Sequence, residues 1–324
     1  MKPLLLVLDD WEGNIAQNKC WNVINELVDI QFLKDSIDSI SDSYLKDAVY
    51  LMAIRERTKL SKVLFDKLPH LKLILQTGGH AYHIDIEEAK KRNITIVLGR
   101  KVKAPLLSVP ELTMAMILGI MHLIPQAQYA MEQGEWPLLT GRTLNNRRLG
   151  ILGMGRHGTR VAHIAKTAFN MEVVIWERPG SKNEQIGDYP RLPLSELLST
   201  SDIVSIHLRL SPESKRLINM ERINEMKKGA ILINTSRGEI VDEITLIDAL
   251  KSGHLSGAGL DVFAQEPLSR DSPLRTMNNV MLTPHIGWTV EEVFDEFSQI
   301  ACNQLIQFMN GNLPESELVD FALK

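Results

Sequence analysis

Cysteine is almost absent from this chain of 324 residues. Cys20 and Cys302 are the only two, with neither a metal-ligand spacing nor a disulfide framework, so they read as reduced thiols and no metal is expected. A long hydrophobic run is missing as well. The longest, Leu112 to Ile124, is interrupted by Thr113, Gly119 and His122. Roughly 20 residues are needed to cross a bilayer, so this run reads as a buried helix. Only six apolar residues precede Asp9 and Asp10, too few for the core of a signal peptide. Neither charge is in large excess: Lys and Arg total 36 against 40 Asp and Glu, a formal charge of −4. Such a balance argues against wholesale binding of nucleic acid or anionic membrane. Internal repeats and low-complexity segments are also lacking. Together these absences point to a cytoplasmic globular protein.

What is present is the composition of a folded core, 44% apolar and 23% charged, in a chain long enough for two domains. Short β-branched runs alternate with helical stretches from end to end, the pattern of parallel sheets covered by helices. In the first hundred residues strands are expected at Leu4–Leu8, Val28–Leu33, Ala48–Met52, Leu71–Gln76 and Ile94–Val97. A helix is expected at Ile86–Lys91, with Asp85 as its N-cap. A second series is expected at Leu149–Gly153, Val173–Trp176, Ile203–His207, Ala230–Asn234, Gly257–Val262 and Val280–Thr283. Between the two series the pattern predicts one long apolar helix, about Val109 to Met131. Charge and proline cluster at KVKAP, near residue 104, and mark a boundary there. An amphipathic helix carrying Val293, Phe297, Ile300, Ala301, Gln304, Leu305 and Phe308 closes the chain.

Gly153, Gly155 and Gly158 form G-x-G-x-x-G after an apolar strand and at the start of a helix, the context that gives this motif meaning. The first glycine permits a tight turn, the second lets a pyrophosphate approach the backbone, and the third lets helix and strand pack closely. Arg156 and His157 lie inside the loop. Glu177 ends the next strand, 19 residues past Gly158, where a carboxylate binds the ribose hydroxyls of NAD and repels the 2′-phosphate of NADP. The adjacent Arg178 could hold that phosphate, so NADP stays open. His207 could border the nucleotide, although a histidine ending a strand also serves structure.

Three further segments carry chemistry. Arg237 in INTSRGEIVDE, Glu266 in GLDVFAQEP and His285 in LTPHIGW each follow a strand, at the edge where open α/β sheets bind ligands. That shared placement groups them despite separations of 29 and 19 residues. A histidine can exchange the hydroxyl proton of a 2-hydroxy acid, and a carboxylate beside it orients the ring and favours its protonated form. An arginine offers a bidentate clamp for the substrate carboxylate.

With these motifs, and with QTGGHAYHID, VPELTMAMILGI, QGEWP and MKKGAILINTSRGEIVDE, the chain resembles the D-isomer-specific 2-hydroxyacid dehydrogenases over nearly its whole length. The family includes phosphoglycerate, D-lactate and glyoxylate/hydroxypyruvate reductases. The resemblance implies an α/β fold of two doubly wound parallel sheets, with a Rossmann NAD-binding domain (residues 104–286) inserted into a flavodoxin-like substrate domain (1–103 plus 287–324). It implies catalysis by Arg237, Glu266 and His285 in a cleft closed by hinge motion. Asp261 would hold the nicotinamide carboxamide, with Thr235 also near the cofactor. Backbone amides of Gly79 and His80 would bind the substrate carboxylate. The implied assembly is a homodimer through the nucleotide domain, for which the long apolar helix is suited.

The chain departs from the family pattern at His80, His157, Pro110 and Arg209, and none of these removes a catalytic group. Arg55, Arg57, Arg100, Lys101 and Lys103 are candidates to hold a substrate phosphate or second carboxylate, whereas Trp11 and Trp288 would favour an apolar substrate tail. The expected function is NAD(H)-dependent interconversion of a D-2-hydroxy acid and its 2-keto acid. Alternatives are a phosphite-type dehydrogenase and an NAD(H)-sensing, corepressor-like binding protein. A formate-type enzyme is disfavoured because glutamine would stand in place of Glu266.

Overall fold

Continuous apolar runs such as Leu5-Leu6-Val7 and Ile231-Leu232-Ile233, with no polar residue on alternate positions, suit strands buried on both faces. In the computed structural model, which describes residues 2–178 and 188–319, these runs become parallel strands of two sheets. Residues 179–187 and 320–324, included in the expected domain extents, lie outside the described residues. The chain divides into two compact units. One runs to Ala104 and resumes at Val290; the other is Pro105–Thr289. The expected borders were 103/104 and 286/287.

The first unit contains β1 (Leu4–Val7), α1 (Trp21–Ile24), β2 (Asp29–Phe32), α2 (Asp42–Leu45), β3 (Ala48–Ala53), α3 (Lys62–Asp66), β4 (Leu73–Gln76), α4 (Ile86–Lys91) and β5 (Thr95–Leu98). Its sheet has the order β2-β1-β3-β4-β5, the flavodoxin-like arrangement. Helix α4 shows why local sequence suffices for some elements. The Asp85 carboxylate accepts the Glu88 amide, Glu87 and Glu88 occupy the first turn, and Lys90 and Lys91 occupy the last, as the helix dipole favours.

The second unit contains α5 (Pro105–Met121), α6 (Ile124–Glu132), β6 (Arg148–Leu152), α7 (Arg156–Phe169), β7 (Glu172–Trp176), α8 (Leu194–Thr200), β8 (Ile203–Ile206), α9 (Met220–Glu225), β9 (Ala230–Asn234), α10 (Glu243–Lys251), β10 (Leu255–Leu260) and β11 (Val280–Leu282). Its sheet order is β11-β10-β9-β8-β6-β7. After β6 the chain first adds β7 on one side and then β8 on the other, so the loop after β6 stands at a topological switch point. The last helix, α11 (Glu291–Met309), belongs to the first unit, where the Gln304 amide donates to the Leu98 carbonyl and to Glu317.

One expected element is corrected. The single helix over Val109–Met131 is two helices, α5 and α6, bent by 66°. Leu123 between them adopts a left-handed backbone at φ 58°, and Pro125, which lacks an amide hydrogen, opens the second helix. Helix α5 packs against β9, β10 and α7, and its Met116 and Ile117 are fully buried. No single helix among the described residues is long and apolar enough to cross a membrane.

Candidate active site

Because all six strands of the second sheet are parallel, the loops that follow them emerge at one edge. The glycine loop follows β6, Glu177 and Arg178 follow β7, His207 follows β8, and Thr235 and Arg237 follow β9. Asp261 and Glu266 follow β10, and His285 follows β11.

The glycine loop fits a dinucleotide. Gly153 has φ +97°, open to glycine at no steric cost, and a Cβ on Gly158 would lie 2.1 Å from the Gly153 carbonyl oxygen. A Cβ on Gly155 would meet nothing within 4 Å, so the backbone there is open to an approaching group at the start of α7. Glu177 supplies the carboxylate expected at the end of β7. Its Oε2 is buried and accepts no hydrogen bond among the described residues, with Arg191 at 3.7 Å. That leaves an acceptor of the kind a ribose hydroxyl needs. Arg178 is engaged elsewhere: it donates to Ser211 Oγ at 3.1 Å, with Glu213 at 3.9 Å. This arrangement favours NAD over its 2′-phosphorylated counterpart.

Two imidazoles flank this loop in the neutral form. Burial, helped by the nearby His157, pushes His207 from 6.5 down to about 3, and its Nε2 meets Ser205 Oγ at 2.9 Å. Burial and the Arg156 charge also lower His157. Thr235 is tied to α5 through Thr113, with 3.0 Å between the hydroxyl oxygens.

The catalytic candidates come together. His285 Nδ1 lies 2.7 Å from Glu266 Oε2, while Glu266 Oε1 accepts the Phe263 amide at 3.0 Å. Burial alone would raise the Glu266 carboxyl. The hydrogen bond to His285, the Phe263 amide and the charges of His285 and Arg237 outweigh it and hold the carboxyl below its usual range. Arg237 is shaped by its own loop. Its Nη1 donates to the Ser236 carbonyl at 2.7 Å, the Asn234 side chain donates to the Arg237 carbonyl at 2.9 Å, and Ser236 Oγ donates to the Ile206 carbonyl at 2.6 Å. Gly238 brings the loops after β9 and β10 into contact, since a Cβ there would sit 1.9 Å from the Phe263 carbonyl carbon.

His285 itself has φ 57°, a strained conformation for a residue with a Cβ. The carboxylate of Asp261, 1% exposed, holds the segment around it. Its Oδ1 accepts from Thr283 Oγ at 2.5 Å and from the Ile286 amide at 2.8 Å, and its Oδ2 accepts the Gly287 amide at 2.9 Å. Sequence reasoning assigned Asp261 to the cofactor and missed this clamp. It also missed Asn234, the last residue of β9, and Ser236 and Thr283, whose only signal is a small polar residue just past a strand. Trp288, half-buried, follows the clamp.

Gly79 and His80 lie after β4 in the first unit, where His80 stacks on Tyr82 with ring centres 5.0 Å apart. Of the five basic candidates there, at least four are engaged within the unit, Arg55 among them through Glu56 at 3.5 Å. Arg57 forms a bidentate pair with Glu12 at 2.5 and 2.8 Å and lies over the Trp11 ring. Arg100 donates to the Ser316 carbonyl, and Lys101 pairs with Glu317.

Comparison with known proteins bears on the family and the fold. A family model described as D-isomer specific 2-hydroxyacid dehydrogenase, NAD binding domain, matches residues 114–287. The D-3-phosphoglycerate dehydrogenase of Methanocaldococcus jannaschii is 36% identical over 276 residues, covering 84% of this chain and 52% of that protein, so the chain spans about half its length. The glyoxylate reductase of Thermofilum pendens is 37% identical over 274 residues, covering 82% of this chain and 80% of that one. The crystal structure of a D-lactate dehydrogenase from Aquifex aeolicus, complexed with NAD and lactic acid, aligns with a TM-score of 0.77 at 28% identity, covering 98% of each chain.

Proposed function

The chain belongs to the D-isomer specific 2-hydroxyacid dehydrogenase family, and from that premise we propose that it interconverts a small D-2-hydroxy acid and its 2-keto acid with NAD(H). The observation that carries this reading is the hydrogen-bonded pair of Glu266 and His285, with the Arg237 charge beside it, on the same sheet edge as the glycine loop. The glycine loop and Glu177 would hold the nicotinamide cofactor, which would supply hydride-transfer chemistry at C2 of the substrate.

The protein's own groups handle the proton and the charge. Glu266 occupies Nδ1 of His285 and leaves Nε2 to face the substrate oxygen. An ionised Glu266 favours the imidazolium, which donates its proton to the keto oxygen during reduction and recovers it in the reverse direction. Arg237 clamps the substrate carboxylate and polarises the keto group. In this reading Trp288 contacts the substrate tail.

The test is loss of reduced-nicotinamide absorbance with NADH and NADPH offered separately. The keto acids would include glyoxylate, hydroxypyruvate, phosphohydroxypyruvate and pyruvate. Turnover with NADH is expected, and His285→Ala should lower it by about a hundredfold or more while NADH still binds. Unchanged turnover in that variant would remove His285 from the mechanism.

We propose also that two copies associate through the nucleotide-binding unit. The sequence suggested the stretch Val109–Met131 for this role; its α5 part is largely buried in the core, so the apolar surface that supports the association lies beyond α5. It is α6 and the segment after it, where Tyr129 (61% exposed), Trp136 (83%) and Leu138 (98%) face outward.

A further inference from the structure

Cys20 and Cys302, separated by 282 positions in sequence, meet within the first unit, where their Sγ atoms lie 2.8 Å apart. Cys20 directly precedes α1 and is half-buried, while Cys302 lies inside α11 and is 2% exposed. The approach is held by more than the sulfurs. The Asn18 side chain fixes the Cys20 amide at 2.9 Å and also donates to Asp295 of α11 at 2.7 Å. Trp21 and Ile24 of α1, and Phe294, Phe297, Ala301 and Leu305 of α11, are buried. One thiol is therefore within reach of a small solute, and the other lies directly behind it, sulfur against sulfur.

We propose that Cys20 and Cys302 are a reversible disulfide site that staples the N-terminal segment to α11. The oxidant class is a low-molecular-weight disulfide, RSSR. The Cys20 thiolate attacks one of its sulfurs, forming a mixed disulfide and releasing one RS group as a thiol. Cys302 then gives up its proton and attacks the Cys20 sulfur, expelling the second RS group. Two protein thiols lose two electrons and two protons in all, and one RSSR becomes two RSH. The hydrogen bond shared by the pair suits this order of events. It lowers Cys20 against the opposing effect of burial, and it raises Cys302 in the same direction as burial. The outer cysteine thus carries the larger thiolate fraction.

The experiment uses the full-length protein, treated with oxidised glutathione and then with dithiothreitol. The thiol titre of the denatured chain should fall from two to none. The intact mass should lose two hydrogens without gaining glutathione, and dithiothreitol should restore both values. Because the bond would close a very long loop, the oxidised protein should unfold at a midpoint about 5–10 °C higher. Cys302→Ala should instead trap glutathione on Cys20, and Cys20→Ser should leave Cys302 unmodified, neither variant gaining thermal stability. Glutathione on both cysteines, disulfide-linked pairs of chains, or an unchanged titre in the wild-type protein would each overturn the proposal. The wild-type measurement decides even if Cys302→Ala fails to fold.

Discussion

At the end of β10 a single buried carboxylate satisfies three donors that flank His285, and this makes Asp261 a positioning residue as well as a candidate cofactor contact. Its two roles can be separated. Asp261→Asn replaces one acceptor oxygen with a donor, leaving a buried amide or hydroxyl unpaired at a cost of about 1–3 kcal/mol. Thr283→Val removes only a donor to Oδ1 and does not change the carboxylate. If the clamp sets the geometry of His285, Thr283→Val should lower kcat by about tenfold with NADH affinity unchanged, since small misplacements near the reacting atoms are expensive. A wild-type kcat in Thr283→Val would show that the clamp is dispensable. The role of Thr283 could not be read from sequence, because a threonine after a strand has no distinguishing pattern until the carboxylate of another strand is placed beside it.

At the scale of elements, the strands were legible because fully buried parallel strands need unbroken apolar runs, and such runs are local. Each expected strand formed, with ends shifted by two residues or fewer. The α5–α6 segment was misread for an equally physical reason. Its apolar composition continues through Ile124, so periodicity sees one helix, while the break depends on the left-handed turn at Leu123. Pro125 was the available signal, since a proline disfavours helical backbone at the residue before it. The break frees α6 and the following segment to present Tyr129, Trp136 and Leu138. Light scattering on eluting protein should therefore give the mass of two chains for the wild type. It should give one chain for the Trp136→Glu, Leu138→Glu double variant, with NADH binding retained in that variant. A monomeric wild type, or a double variant that stays paired, would contradict this surface as the interface.

The whole molecule feels the neutral histidines of the second unit as a pH dependence of stability. His207 titrates at about 3 in the fold against an ordinary 6.5. Above 6.5 it is neutral in both states and contributes no slope. As the pH falls through 6.5 toward 3, the unfolded chain takes up a proton that the folded chain refuses, so stability declines with acidification. His157, lowered for the same reason, adds in the same direction. His207→Gln should accordingly flatten the loss of urea midpoint between about pH 7 and about pH 5 by up to one proton's worth of slope. An unaltered slope would show that His207 is charged in the folded protein. The basic residues tell a complementary story. Arg57, Arg100 and Lys101 looked available to a substrate phosphate, yet Glu12, the Ser316 carbonyl and Glu317 engage them.

By itself the sequence determined whatever depends on neighbouring positions: strand runs buried on both faces, the Asp85 cap of α4, and a glycine spacing that suits a tight turn between a strand and a helix. It also placed Arg237, Glu266 and His285 each after a strand, hence on one edge once the sheet is parallel. Only the tertiary structure decided which groups touch. The 2.7 Å contact between Glu266 and His285, the Asp261 clamp, the bend at Leu123 and the meeting of Cys20 with Cys302 all depend on chain path. Local patterns encode backbone conformation and burial. The partner of a side chain is fixed only when strands and helices distant in sequence pack against each other.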